Sequence, residues 1–158
     1  MSALALIATA RAGAQGEEAV RNWFGDPYFQ VRSGTANCPV PLGPYLTERQ
    51  MVMDSHPRAE RGTRCWLEKK CAKPSAYLYD PGIAQAVRAR FESTEKFREA
   101  SLWVTVQRRF VWIEGCVRSK RTQTELEQLV RDIPDVDQVI VNVSQGVPAA
   151  PAYRAFPQ

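Results

Sequence analysis

Residues 101–117 read Ser101-Leu-Trp-Val-Thr-Val-Gln-Arg-Arg-Phe-Val-Trp-Ile-Glu-Gly-Cys-Val117. Side chains alternate with period two on both sides of Arg108-Arg109, and β-branched and aromatic residues dominate. The pattern predicts two strands, 101–107 and 110–117, joined by a two-residue turn. Arg108-Arg109 lacks the Asn-Gly chemistry that a tight hairpin turn prefers. Downstream, Leu126, Leu129, Val130 and Ile133 form the apolar stripe of a helix over 119–132. Thr122 and Glu125 fit a capping box for it, and Pro134 ends it. Val136-Asp-Gln-Val-Ile-Val-Asn-Val143 reads as a third strand. Upstream, Asp80 reads as an N-cap with Pro81 at the first helical position. Ile83, Ala84, Val87 and Phe91 then give the apolar face of a helix over 81–92. The order α-β-β-α-β predicts an α+β fold in which a three-stranded mixed sheet packs on two helices.

The alternation divides this sheet into two unlike faces. Leu102, Val104, Val106, Val111, Ile113, Gly115 and Val117 point toward the helices, and Gly115 reads as a packing glycine that lets a helix approach closely. Trp103, Thr105, Gln107, Phe110, Trp112, Glu114 and Cys116 point the other way, where no predicted element covers them. An exposed aromatic patch of this kind marks a partner or a covering segment. We expect the N-terminal extension to cover it, pinned through Cys116. The rival is an open ligand platform built on Trp103 and Trp112.

The chain has 158 residues, 44% hydrophobic and 24% charged. That excludes a fully disordered chain and suits one domain with an extension. No run approaches the roughly 18 apolar residues of a membrane-spanning helix. Residues 15–79 read as a loop-rich extension with short helices, and 34–79 are dense in breakers (Gly34, Pro39, Pro41, Gly43, Pro44, Pro57, Gly62, Pro74). A short helix over 17–24 is stopped by Gly25-Asp26-Pro27. Another opens at a Thr47–Gln50 capping box, runs toward His56 and exits at Pro57. Residues 146–158 read as a Pro/Ala-rich tail.

Cys38, Cys65, Cys71 and Cys116 are an even set without the C-x-x-C spacing of a zinc site. They read as two disulfides, for which three pairings exist. Three of the cysteines lie in the extension, so any complete pairing ties the extension to the sheet. We favour Cys65–Cys71 as the local loop and Cys38–Cys116 as the long staple. Disulfides fit an oxidising periplasmic or extracellular setting. The apolar start, followed by Ala12-Gly13-Ala14, reads as a truncated signal peptide over 1–14 that lacks the usual basic end.

Little chemistry is on offer. The single histidine, His56, sits in Asp54-Ser55-His56-Pro57, and adjacency is no sign of a catalytic triad. There is no phosphate-cradling glycine loop, no nucleophile elbow and no metal-ligand spacing. We expect no enzyme activity, no metal and no cofactor. The net charge of +4 is spread thinly: +3 over residues 1–79 and +1 over 80–158. Three basic groups stand out: Arg108 with Arg109, Arg118 with Lys120 and Arg121, and Arg88 with Arg90, followed by Lys96 and Arg98. Each is a candidate for anionic headgroups at about 1 kcal/mol per residue. The positive field is too weak for a nucleic-acid binder.

The run Val111-x-Ile113-x-Gly115-x-Val117-x-Ser119, then Leu126-x-x-Leu129-Val130, then Ile133-x-x-Val136-x-x-Val139-x-Val141-x-Val143 resembles the BON domain, named for bacterial osmotic-stress and nodulation proteins. The resemblance covers about residues 80–145 and leaves 1–79 without a counterpart. It implies an αββαβ fold, an exported envelope protein with a tie to stress response, and a role in binding anionic phospholipid or an envelope surface. It carries no catalytic residues. The second reading is a protein-interaction component of a larger envelope or secretion assembly. The oligomeric state stays open.

Overall fold

Sequence alternation locates two strands to the residue, and a fourth strand brought in by the extension changes the sheet they belong to. The computed structural model describes residues 18–157. In chain order its elements are β1 (Tyr28–Ser33), α1 (Glu48–Leu67), a 3₁₀ turn (Ala76–Tyr79), α2 (Asp80–Glu92), β2 (Ser101–Gln107), β3 (Phe110–Val117), α3 (Thr122–Arg131) and β4 (Gln138–Gln145). They form one four-stranded mixed sheet in the order β1-β2-β3-β4. The expected three-stranded sheet is therefore corrected to four. β1 pairs antiparallel to β2, with a register shift between Gln30 and Arg32. β3 and β4 run parallel, as a helical crossover requires.

One face of the sheet meets α2 and α3. Leu102, Val104, Val106, Val111, Ile113, Leu126 and Val130 are fully buried there with Val87 and Phe91. Each such side chain contributes roughly 1.5–3 kcal/mol by leaving water. Gly115 lies in the same strand, but the close approach it permits is to the neighbouring strand rather than to a helix. Its φ is +143°, and a Cβ there would sit 2.0 Å from the Ser101 carbonyl oxygen. Arg32 of β1 ties the extension to this layer. Its guanidinium donates to the carbonyls of Phe91 (2.6 Å), in the last turn of α2, and of Thr94 (2.7 Å), just beyond it.

The other face is covered, as expected, by the extension, joined by the C-terminal segment. Cys38 and Cys116 form a disulfide across it with Cα atoms 5.8 Å apart, and Cys65–Cys71 closes the local loop. Trp103 packs with the buried Cys38–Cys116 bridge and Tyr28. It is therefore a core residue and no open platform. Residues 146–157 do not trail away. Leu42 donates to Arg154 and Phe156 to Val40 through their backbones, at 2.7 and 2.9 Å. Tyr153 is buried, and its hydroxyl donates to the Pro39 carbonyl at 2.7 Å.

Local departures from expectation have local causes. Residues 18–24 form no helix. Arg21 pairs with Leu46 instead, each N–H donating to the other's carbonyl at 2.9 Å. The Thr47–Gln50 capping box is present in both directions, at 3.2 and 2.9 Å. Its helix does not stop at Pro57 but continues to Leu67. Pro57 leaves the Met53 carbonyl without its helical donor, and Met53 is 69% exposed, so water can replace that bond. α3 begins at Thr122 with Arg121 as N-cap, without the expected Thr122–Glu125 box. Two tight turns, Thr122 N–H to the Ser119 carbonyl and Gln123 N–H to that of Lys120, already use the first donors.

The long staple closes a segment of 78 residues, for which chain entropy gives a stabilisation of about 4.5 kcal/mol. The paired change Cys38→Ser/Cys116→Ser should lower stability in urea by about 3–5 kcal/mol. The paired change Cys65→Ser/Cys71→Ser should cost about 2 kcal/mol. Equal losses in the two unfolding curves would refute this ranking.

Candidate functional site

α1 is held over the sheet face opposite α2 and α3 by a buried ion pair. Arg58 forms a two-pronged pair with the Asp26 carboxylate, and its Nη1 donates at 3.0 Å. Both residues are buried. The guanidinium lies between the Phe24 and Tyr77 rings, 4.2 and 3.8 Å from their centroids. Gln107 of β2 donates to the same carboxylate at 2.6 Å. Gly62, one turn further, lets α1 lie against Tyr77, because a Cβ there would come within 2.9 Å of that ring. Breaking a buried pair of this kind strands a charge, which is why its partners fix the position of the helix.

The β2–β3 turn meets the end of α1. Arg108 and Arg109 both have positive φ, 57° and 67°, which costs a non-glycine residue about 1–2 kcal/mol. Asp80 offsets this. Expected as the N-cap of α2, it is instead the first helical residue, with Tyr79 as N-cap, because the 3₁₀ turn runs directly into the helix. Its carboxylate oxygens accept from the Arg108 and Arg109 backbone N–H groups, each at 2.7 Å. Burial pushes the Asp80 pKa up to about 6, against the opposing pull of those two hydrogen bonds.

A groove of about 460 Å³ opens at this end of the sheet. Arg108 and Arg109 line it with Arg61 and Arg64 of α1 and Lys70 of the Cys65–Cys71 loop, against the carboxylates Glu68 and Asp137. Glu68 is shared by Arg64 (2.9 Å) and Lys70 (2.8 Å). Those cations hold its pKa down to about 2. Arg108 lies over the Phe110 ring at 4.5 Å, and Arg109 donates to the Asp135 carbonyl at 2.8 Å. Sequence reading singled out only Arg108 and Arg109 here. Arg61, Arg64 and Lys70 were hidden in a stretch read as loop, and the i, i+3 spacing of Arg61 and Arg64 was the signal available.

The other basic candidates lie apart from this groove. Arg90 donates to the Leu129 carbonyl (3.1 Å) and pairs with Asp132 (3.0 Å), joining α2 to α3. Arg88 stacks over Phe29 at 3.6 Å. Arg118 pairs with Glu99 at 3.0 Å, and Lys120 and Arg121 are exposed near the far end of the hairpin. His56 is exposed on α1, 3.7 Å from Glu60.

A second groove, about 580 Å³, runs between α1 and the sheet. Thr105, Gln107, Trp112 and Glu114 form its floor, with Gln50, Met53, Asp54 and Arg61 on the helix side. Trp112 is held against Phe110, ring centroids 5.6 Å apart. Burial raises the pKa of Glu114, while the Asn142 side chain and the Arg154 charge favour its ionised form.

The family described as the BON domain matches residues 79–146, the αββαβ segment. The match spans a little under half of the chain. No curated protein and no solved structure matches the chain significantly. Among the described residues no helix is long and apolar enough to cross a membrane. The signal peptide expected over 1–14 lies outside the described residues.

Asp80 sets a pH dependence. Its folded pKa lies above its ordinary 3.8, so the folded chain holds the proton more tightly than the unfolded one. Its contribution to stability is therefore lost as pH rises from about 4 through about 6. Measured against Asp80→Asn by urea unfolding, the wild type should lose relative stability across that window. A relative gain would contradict the assignment.

Proposed function

We propose that the protein is a non-enzymatic module of the bacterial envelope, periplasmic or secreted, that contacts anionic phospholipid surfaces through the cation-lined groove at the β2–β3 turn. The observation that carries this reading is the convergence of Arg61, Arg64, Lys70, Arg108 and Arg109 around one groove, where they outnumber the carboxylates Glu68 and Asp137 of its lining and Asp54, which pairs with Arg61. A flat anionic surface rewards basic side chains gathered at one end of a rigid fold, at about 1 kcal/mol each. The BON domain supports the same reading, because that family is associated with phospholipid binding. The two disulfides favour an oxidising compartment.

Arg64 and Lys70 carry the test, since both side chains are more than two-thirds exposed and surface changes of this kind leave the fold intact. The protein should co-sediment with phosphatidylglycerol vesicles in a salt-sensitive manner and leave phosphatidylcholine vesicles unbound. Arg64→Ala/Lys70→Ala should weaken that binding about 30-fold, equivalent to roughly 2 kcal/mol. Equal binding to neutral vesicles would overturn the reading. So would anionic binding that ignores both salt and the double substitution. The exposed Val52, Met53, Trp66 and Leu67 of α1 favour a second reading, docking to a protein of a larger envelope or secretion assembly. Retention of an envelope protein from a membrane extract, lost on changes at those four residues and untouched by the double substitution, would support it.

A further inference from the structure

The groove between α1 and the sheet is chemically unlike the basic groove beside it, although Arg61 lines both. We propose that it is a binding site for a neutral polyhydroxylated ligand, a saccharide, held by Trp112 and by the hydrogen-bonding side chains around it. The proposal stands independently of phospholipid contact.

Four observations select this class. The first is the orphan hydroxyl of Thr105, which lines the groove at its base. Thr105 is 7% exposed, and its Oγ1 is the one buried side-chain N or O atom among the described residues without a hydrogen-bond partner. An unmade bond of that kind costs about 1–3 kcal/mol, and valine would fill the same strand position without it. Over it lies the backbone of Gly43 (φ +54°), where a Cβ would come 3.2 Å from that hydroxyl and 2.7 Å from the Tyr28 ring. The Gly43 backbone therefore seals that hydroxyl from the open groove, and a ligand reaches it only by shifting the loop at Gly43.

The second is the mixture of side chains. Trp112 offers an indole surface of the kind that packs against the C–H face of a sugar ring. Gln50, whose Oε1 already accepts from the Thr47 N–H, adds an amide NH2 that donates, and Glu114 adds a carboxylate that accepts from two vicinal hydroxyls. A few convergent polar groups beside apolar surface are the usual composition of a small-ligand site. An acyl chain in the same place would strip water from Glu114 and Gln50 without replacing their bonds.

The third is topology. The floor belongs to β2 and β3, the two interior strands, whose backbone groups are already paired with neighbours on both sides. A peptide has no strand edge here to extend. The fourth is charge. Asp54 is neutralised by Arg61 at 2.5 Å, and Glu114 is offset in part by Arg154. The groove holds no cation free of a carboxylate partner, so an anion finds no anchor, and an uncharged ligand fits.

The test is titration of the full chain, disulfides intact, with chitotetraose, maltotetraose and spermidine, followed by calorimetry and tryptophan fluorescence. At least one oligosaccharide should bind with a Kd below about 1 mM. Trp112→Ala should abolish binding and Trp112→Phe should retain it, which separates loss of stacking from loss of fold. Thr105→Val should weaken binding about tenfold with the thermal midpoint unchanged or raised. All three variants should bind phosphatidylglycerol vesicles like the wild type, so failure here is distinguishable from failure of the lipid reading. Absence of binding by both oligosaccharides at about 10 mM overturns the proposal. So does sugar binding that survives Trp112→Ala, or binding of spermidine alone.

Discussion

Helices on one side of a β-sheet leave a second face that something else must bury. In this chain that face holds Trp103, Thr105 and Cys116, all buried, and Trp112 and Glu114, half-buried. The αββαβ segment has no residues left to cover them. The cover comes from the preceding extension and from the last residues of the chain, and three fastenings hold it. Cys38–Cys116 joins it to β3, Arg58–Asp26 seats α1, and Arg32 of β1 caps the Phe91 carbonyl in the last turn of α2. The extension is thus part of the fold rather than an appendage to it. Without it the sheet would lose its fourth strand and expose an aromatic surface.

The same cover produces both grooves. α1 has few buried residues of its own, Arg58 and Gly62, so it stands off the sheet along much of its length and leaves room beneath. Where its C-terminal end meets the β2–β3 turn, basic side chains from two distant parts of the sequence gather. Asp80 makes that end rigid by accepting both N–H groups of a turn that its own sequence disfavours. A BON fold lacking the extension would carry only Arg108 and Arg109 there. The chemistry of the candidate site is in this sense a product of the extension and the domain together.

Sequence made the domain legible and the cover only partly so. Strands 101–107 and 110–117 follow from alternation alone, because each has one strictly apolar face. β1 escaped notice because it is short, sits at the sheet edge and breaks its alternation at the Gln30/Arg32 register shift. α1 was cut at Pro57, where the usual penalty is small because the stranded carbonyl faces solvent. The staple was legible from arithmetic, three cysteines on one side and one on the other, while its exact partner was a preference. Alternation alone places Trp103 on the face away from the helices, where the extension buries it. The cation groove was the least visible feature, since Arg61, Arg64 and Lys70 come together with Arg108 only through tertiary packing.

Native-state hydrogen exchange, with both disulfides intact, addresses most directly whether extension and domain are one cooperative structure. The backbone N–H groups of β1 pair with β2 across a sheet that the account treats as a single unit. Their opening free energies should equal those of Val104 and Ile113 in the core of β2 and β3. If the β1 amides exchange several orders of magnitude faster than the core while the β2–β3 amides keep full protection, the extension is an accessory to an independently stable domain, which contradicts one cooperative structure.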